Sequence, residues 1–395
     1  MTPLRFGADV LADNPGLLGH AARAALVTND AARSAHDAGL RTRAALLAAG
    51  IPIVRLFSPE HGLAARAADG AAVTDAVDPL TGLPVISLYG ERLAPDAESL
   101  RDLDAVLFDI PDVGARFYTY AWTLTHMIDA CAAARVPLVV LDRPNPLGGA
   151  LDSVEGPLLD RAFASFIGRH SIPIRHSLTL GELARLWRNE RRPDADVQVI
   201  ACEGWRRHEM WSDTGLPFVP TSPAITCFDA ALLYPGLCLF EAVNVSVARG
   251  TAHSFRAIGA PWLDARTLAA RFGARAMPGI TVECIDFKPG VAPYRDEACH
   301  GLRIVVRSAQ QVKPVRTGLA LLADVCALHA QQFAWRTYPT AANPGGAHHF
   351  ERLLGVAGVR EHMTTRAADV DDALLHEWTR TPGWPRRWQA ACIYR

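Results

Sequence analysis

The feature that most limits the folds open to this chain is a unit repeated through its first half. A short run of Val, Ile, Leu or Phe without polar alternation is followed by a polar cluster and then by a longer stretch with helical spacing. Runs of this kind at 25–28, 52–57, 84–88, 105–108, 137–141 and 197–201 read as strands covered on both faces, since a strand with one wet face alternates polar and apolar side chains. Helical spacing at 35–49 and 121–134 lies between them, and Thr179-Leu180-Gly181-Glu182 has the form of a capping box opening a helix to 188. The alternation predicts an α/β fold with βαβ units around a parallel sheet, Rossmann-like in order. No GxGxxG follows any of these strands, so the order does not imply a dinucleotide.

After residue 215 the pattern changes. Gly and Pro punctuate 216–261, followed by a helical pattern at 263–271, a strand signal at 302–306, helices at 314–331 and another near 369–379. We expect residues 1–215 to form the Rossmann-like domain with the catalytic loops, and 216–395 a smaller α+β domain completing a cleft. A chain of 395 residues is long enough for two such cores. Half the residues are hydrophobic, 21% are charged and the net charge is -1, a balance that argues against a nucleic-acid partner. The eight cysteines are scattered, with no CxxC pair or zinc-like Cys/His spacing, and neither metal nor other cofactor is expected. No apolar stretch reaches the roughly 18 to 20 residues of a membrane span. The amino terminus lacks the apolar run of a secretory signal, which predicts a cytoplasmic location.

In open parallel sheets ligands bind beyond the carboxyl ends of the strands. Here those positions are polar: Ser58-Pro59-Glu60-His61-Gly62, Tyr89-Gly90-Glu91, then 109–116 with Asp109, Asp112 and Arg116, and Asp142-Arg143-Pro144-Asn145-Pro146. Four loops thus bring carboxylates, a histidine and arginines to one rim, which suits acid–base chemistry on a polar substrate. Pro59 and Gly62 frame Glu60 in a tight turn, so its carboxylate is either a held catalytic group or a helix cap. His61 is open to a structural role, Asp109 and Asp112 to turn roles, and Asp142-Arg143 to an ion pair. Glu182 is the acid of its capping box. Tyr118, within an aromatic stretch at 117–122, is either core or a platform for a sugar face. Downstream, 241–251 alternates polar and small apolar residues and supplies Glu241, Asn244, Arg249 and Thr251.

Taken together, several motifs resemble the NamZ-type exo-β-N-acetylmuramidases, and they run in order over essentially the whole chain. They are Phe57-Ser58-Pro59-Glu60-His61-Gly62, Thr81-Gly82-Leu83-Pro84-Val85, Ser87-Leu88-Tyr89-Gly90, Phe108-Asp109-Ile110, 112–120, 142–146, Glu155-Gly156-Pro157, Tyr234-Pro235-Gly236, Arg249-Gly250-Thr251 and Gly259-Ala260-Pro261-Trp262. The resemblance implies a Rossmann-like domain joined to a smaller one, and release of N-acetylmuramic acid from the non-reducing end of peptidoglycan-derived muramyl saccharides, without metal or nucleotide. The sequence departs from that family at Pro111, Ala224 and Ala248, where glutamine, asparagine and glycine are usual.

Glycoside hydrolysis needs an acid for the leaving oxygen and a second group at the anomeric centre. Glu60 is the expected acid, with Asp112, then Glu91, then Glu241 as its partner. His61, Asp109, Arg116, Tyr118, Asn145, His176, Asn244, Arg249 and Thr251 are the expected substrate contacts, Arg249 and Arg116 on the lactyl carboxylate that distinguishes a muramide. An esterase or amidase lacks its G-x-S-x-G elbow here. A non-catalytic sugar-binding protein is the remaining alternative.

Overall fold

A computed structural model describes residues 3–341 and 343–395. Seven strands, β1 (Ala24–Thr28), β2 (Ile53–Ser58), β3 (Ala76–Val77), β4 (Pro84–Ser87), β5 (Ala105–Asp109), β6 (Leu138–Leu141) and β7 (Val197–Ile200), form one sheet in the order β3-β4-β2-β1-β5-β6-β7. All neighbours pair parallel except the two-residue β3, which runs antiparallel on the edge. The chain starts in the middle, winds to one side through β2 and β4, then returns past β1 to β5, β6 and β7. This is the Rossmann-like order, and its switch point lies between β1 and β5.

The non-alternating runs have a direct packing cause. In β1 all five residues are buried, with Ala25 and Val27 facing one apolar cluster and Ala24 and Leu26 the other. The larger cluster does not stop at the sheet. It continues through Trp122 and Leu183 into Leu232, Phe240, Leu302, Val315, Leu322 and Leu353, so one core joins the first half of the chain to the second. There, β8 (Ala257–Ala260), β9 (Ile280–Phe287) and β10 (Cys299–Val306) form an antiparallel sheet in the order β8-β10-β9. Along β9 most side chains are exposed or half-exposed.

Two expectations shift. The helix expected from 35 starts at Thr42, because Asp37 accepts the Gly39 N–H at 2.7 Å and turns the chain before the helix can begin. Within the Gly/Pro-rich 216–261 stretch a helix, Phe228–Leu237, forms despite Pro235 and Gly236. Gly236 lies against the helix Pro314–Leu328 so closely that a Cβ on it would overlap the Pro314 carbonyl, and a Cβ on Gly318 would overlap the Gly236 carbonyl. The glycine that reads as punctuation is a helix–helix contact. No helix among the described residues is long and apolar enough to cross a membrane.

Candidate active site

Beyond the carboxyl ends of β2, β4 and β5 a cavity of about 600 Å³ opens between loops of the two halves. The first half supplies Glu60, His61, Asp69, Tyr89, Tyr118, Thr119 and Phe166; the second supplies Ala224, Tyr234, Glu241, Arg249, Tyr338, His349 and Arg352.

Glu60 stands just past the end of β2. Successive left-handed residues, His61 at φ 68° and Gly62 at φ 70°, reverse the chain and leave the Glu60 carboxyl fixed at the wall of the cavity. The Gly70 N–H donates to Oε1 at 3.0 Å and the Thr119 hydroxyl lies 2.7 Å from Oε2. Thr119 precedes the helix Tyr120–Ala134, so a loop after β5 reaches across to hold a residue after β2. Burial pushes the Glu60 carboxyl above its ordinary range and the neighbouring Asp69 charge adds to this, against opposition from His61, Thr119 and Gly70. His61 holds its Nδ1 2.9 Å from the Ala67 carbonyl, which fixes the ring at the cavity edge.

Asp69 behaves in the opposite way. Loss of solvent works against its ionisation, but the Arg249 charge and the Tyr338 hydroxyl outweigh that and hold it below the usual carboxylate range. Tyr338 donates to Oδ2 at 2.6 Å and Arg249 to the same oxygen at 3.3 Å. Arg249 also pairs with Glu241 at 2.7 Å, lies within 2.7 Å of the Tyr338 hydroxyl and sits over the Phe255 ring. His349 stacks on Tyr338 with ring centroids 4.5 Å apart. Two carboxyls in one cavity are thus pushed in opposite directions, the arrangement that divides acid from ionised partner.

Of the expected site residues, the structure brings Glu60, His61, Tyr118, Glu241 and Arg249 to this cavity. Tyr118 donates to Thr221 at 2.7 Å and meets Tyr234 edge-on, making part of an aromatic wall. The others do not line it. Asp112 turns back on its own loop, accepting the Gly114 N–H at 2.8 Å, while its other oxygen is buried without a partner. Glu91 is exposed and lies off the cavity. Asp109 is fully buried against Arg143, at 2.6 Å, and Thr42. The Asn145 amide spans the Leu178 carbonyl and the Leu147 N–H, at 2.9 Å each. His176 is buried and forced to stay neutral, its pKa pushed down to about 3 by burial. The Asn244 side chain pins Gln332 and Ala334, and the Thr251 hydroxyl closes a turn on Ala248.

Arg116 corrects an expectation most sharply. Its guanidinium is buried and donates to the carbonyls of Pro157, Ile172, Leu353 and Leu354 at 2.7–2.8 Å, so it cannot meet a substrate carboxylate. Arg249 reaches the cavity but is already committed to Glu241 and Asp69. Asp69, Tyr338 and His349 were not foreseen. Asp69 lies in an Ala/Gly-rich loop with no apolar period, and the other two sit far along the chain with nothing local to mark them. Ala224 lines the cavity wall, and Ala248, where glycine is usual, adopts φ 56°, the backbone region that favours glycine.

Comparisons with known proteins agree with this architecture. The chain is 38% identical to the peptidoglycan β-N-acetylmuramidase NamZ of Bacillus subtilis (strain 168), over 72% of this chain and 68% of that protein. Two crystal structures of DUF1343 family proteins from Bacteroides fragilis NCTC 9343 superpose over the full chain, with TM-scores of 0.86 and 0.74 at 27% and 26% identity, covering 100% and 99% of those chains. The family models for the N-terminal and C-terminal parts of exo-β-N-acetylmuramidase NamZ match residues 24–229 and 232–383, and the chain belongs to that glycoside hydrolase family.

Proposed function

We propose that this protein removes N-acetylmuramic acid from the non-reducing end of peptidoglycan-derived saccharides, with Glu60 as general acid and Asp69 as the ionised group beside the anomeric centre. The observation that carries this reading is the pair of carboxyls in one cavity, Glu60 raised and Asp69 lowered. A raised carboxyl keeps its proton nearer working pH, where it can protonate the glycosidic oxygen as the C–O bond breaks. The Thr119 hydroxyl, 2.7 Å away, can accept from Glu60 as readily as it donates.

Asp69 is clamped by Arg249 and Tyr338 through one oxygen, which leaves the other available to oppose positive charge building at the anomeric carbon. A carboxylate so well stabilised is a poor base, so the restoring proton transfer falls to Glu60. Once the aglycone has left with the proton, water attacks the anomeric carbon as the Glu60 carboxylate takes its proton, which forms the new C–O bond of the released sugar and regenerates the acid form. Tyr89, Phe117, Tyr118, Phe166 and Tyr234 give the sugar an aromatic enclosure.

The test is hydrolysis of a muramyl disaccharide and of a nitrophenyl muramide by the wild-type protein and by Glu60→Gln. The wild type should release N-acetylmuramic acid from both. Glu60→Gln should lose about 100-fold or more on the disaccharide, within the roughly 10² to 10⁴ that acid–base catalysis contributes, and partly recover on the nitrophenyl substrate. A folded Glu60→Gln protein with near-normal disaccharide turnover would remove the assignment.

A further inference from the structure

The cavity lining carries more arginines than carboxyls in a chain whose net charge is -1. Five arginines, Arg66, Arg249, Arg295, Arg336 and Arg352, line it, against three carboxyls, Glu60, Asp69 and Glu241. Arg249 pairs with Asp69 and Glu241. Arg66 and Arg295 are exposed, where water solvates a guanidinium well. Arg336 and Arg352 differ: both are half-buried, both face the cavity, and among the described residues neither is paired with a carboxylate. Leaving a guanidinium partly desolvated and unpaired is costly, and an incoming anion relieves that cost.

Their placement is specific. Arg336 and Tyr338 lie on a stretch whose start is bonded to Ala242 and Val243, and both line the cavity. Arg352 lies three residues beyond His349 on the short helix His349–Leu354, on one face. Tyr338 and His349 stack and, with Arg336 and Arg352, line the same cavity, so two different elements bring these arginines to the wall that carries the clamp on Asp69.

We infer that Arg336 and Arg352 form a carboxylate subsite that takes the lactyl acid of the terminal sugar and sets the preference for muramides over glucosaminides. The inference rests on the muramidase reading above. It moves the acid-recognising role from Arg249 and Arg116, which are committed elsewhere, to the two half-buried arginines left without a partner. Arg249 becomes a positioning residue for Asp69.

The experiment measures binding of N-acetylmuramic acid, its lactyl amide and N-acetylglucosamine by calorimetry to the wild-type protein and to Arg336→Gln, Arg352→Gln and Arg336→Lys, each with an unfolding curve. Wild-type protein should prefer the free acid over both neutral sugars, and each glutamine variant should lower that preference about ten- to hundred-fold, the worth of a charge-assisted pair. Arg336→Lys should keep part of it, since the charge remains and the planar fork is lost. Equal weakening towards all three sugars in folded variants would mean a structural role and overturn the inference, as would a preference unchanged by both glutamine substitutions. Because the readout is binding selectivity, it fails separately from the function, which turnover of the muramide by wild-type protein tests.

Discussion

At the level of single residues the chemistry depends on Asp69, and on its charge acting in two places at once. In the proposed mechanism it opposes the positive charge that develops at the anomeric carbon, and it also pushes the neighbouring Glu60 carboxyl upward. The pH–rate profile of the wild type should therefore be a bell. Its acid limb follows Asp69, held below the usual carboxylate range, and its basic limb follows Glu60, held above it. Asp69→Asn should lower kcat by about 10² or more. It should also abolish the acid limb and move the basic limb to lower pH, because Glu60 loses the neighbouring charge that raises it. An Asp69→Asn profile with both limbs in place would remove Asp69 from the mechanism. Glu60 was legible in the sequence because its turn is local: a strand end, a proline and a glycine within a few residues. Asp69 was not, since its clamp comes from residues at 249 and 338, and no local pattern reports a contact across such separations.

Elements explain why most of the scaffold could be read and part of the site could not. Six of the seven first-half strands were visible as apolar runs, most plainly β1, β5 and β6, which are buried throughout, whereas the exposed two-residue edge strand β3 leaves no such run; the capping box at Thr179 and Glu182 forms as its spacing predicts. In the second half, β8 is four residues long and contains a glycine, while β9 mixes exposed and half-exposed positions, so neither gives a strong period. The loop between β5 and the helix Tyr120–Ala134 links scaffold to chemistry, since it ends at Thr119, which holds Glu60. Its shape depends on Gly114, at φ 79°, where any Cβ would collide with the Asn145 amide. Gly114→Ala should cost about 2 to 4 kcal/mol, combining left-handed backbone strain with overpacking, and should lower turnover as Thr119 shifts. Adding Asn145→Ala removes the collision but not the backbone strain. The double variant should therefore be more stable than the sum of the single losses, as chemical denaturation would reveal.

Across the whole molecule the two halves share a core, and Arg116 ties them: it binds carbonyls at Pro157 and Ile172 and at Leu353 and Leu354 from one buried guanidinium, whose pKa burial lowers to about 9. A site assembled from both halves needs such ties, which is why a conspicuous arginine in a polar loop turned out to be structural. Asp112 makes the same distinction testable through global stability. Burial pushes its carboxyl up to about 7, with only the Gly114 and Val113 N–H groups opposing, and one oxygen has no partner. A carboxyl raised in the folded state binds more protons there than in the unfolded chain, between its unfolded pKa of about 4 and its folded value. Stability should therefore fall as pH rises through that window, and the penalty should be complete above about pH 7. Asp112→Asn keeps an acceptor for Gly114 and cannot ionise. It should raise the unfolding midpoint at pH 8 by an amount equivalent to at most a few kcal/mol, and the gain should shrink as pH falls and be gone by about pH 3, below the unfolded pKa, where this position is neutral in both states. Turnover on a muramyl disaccharide should stay within a few-fold of wild type. Loss of activity without the pH-dependent gain would return Asp112 to the reaction and displace Asp69 from it.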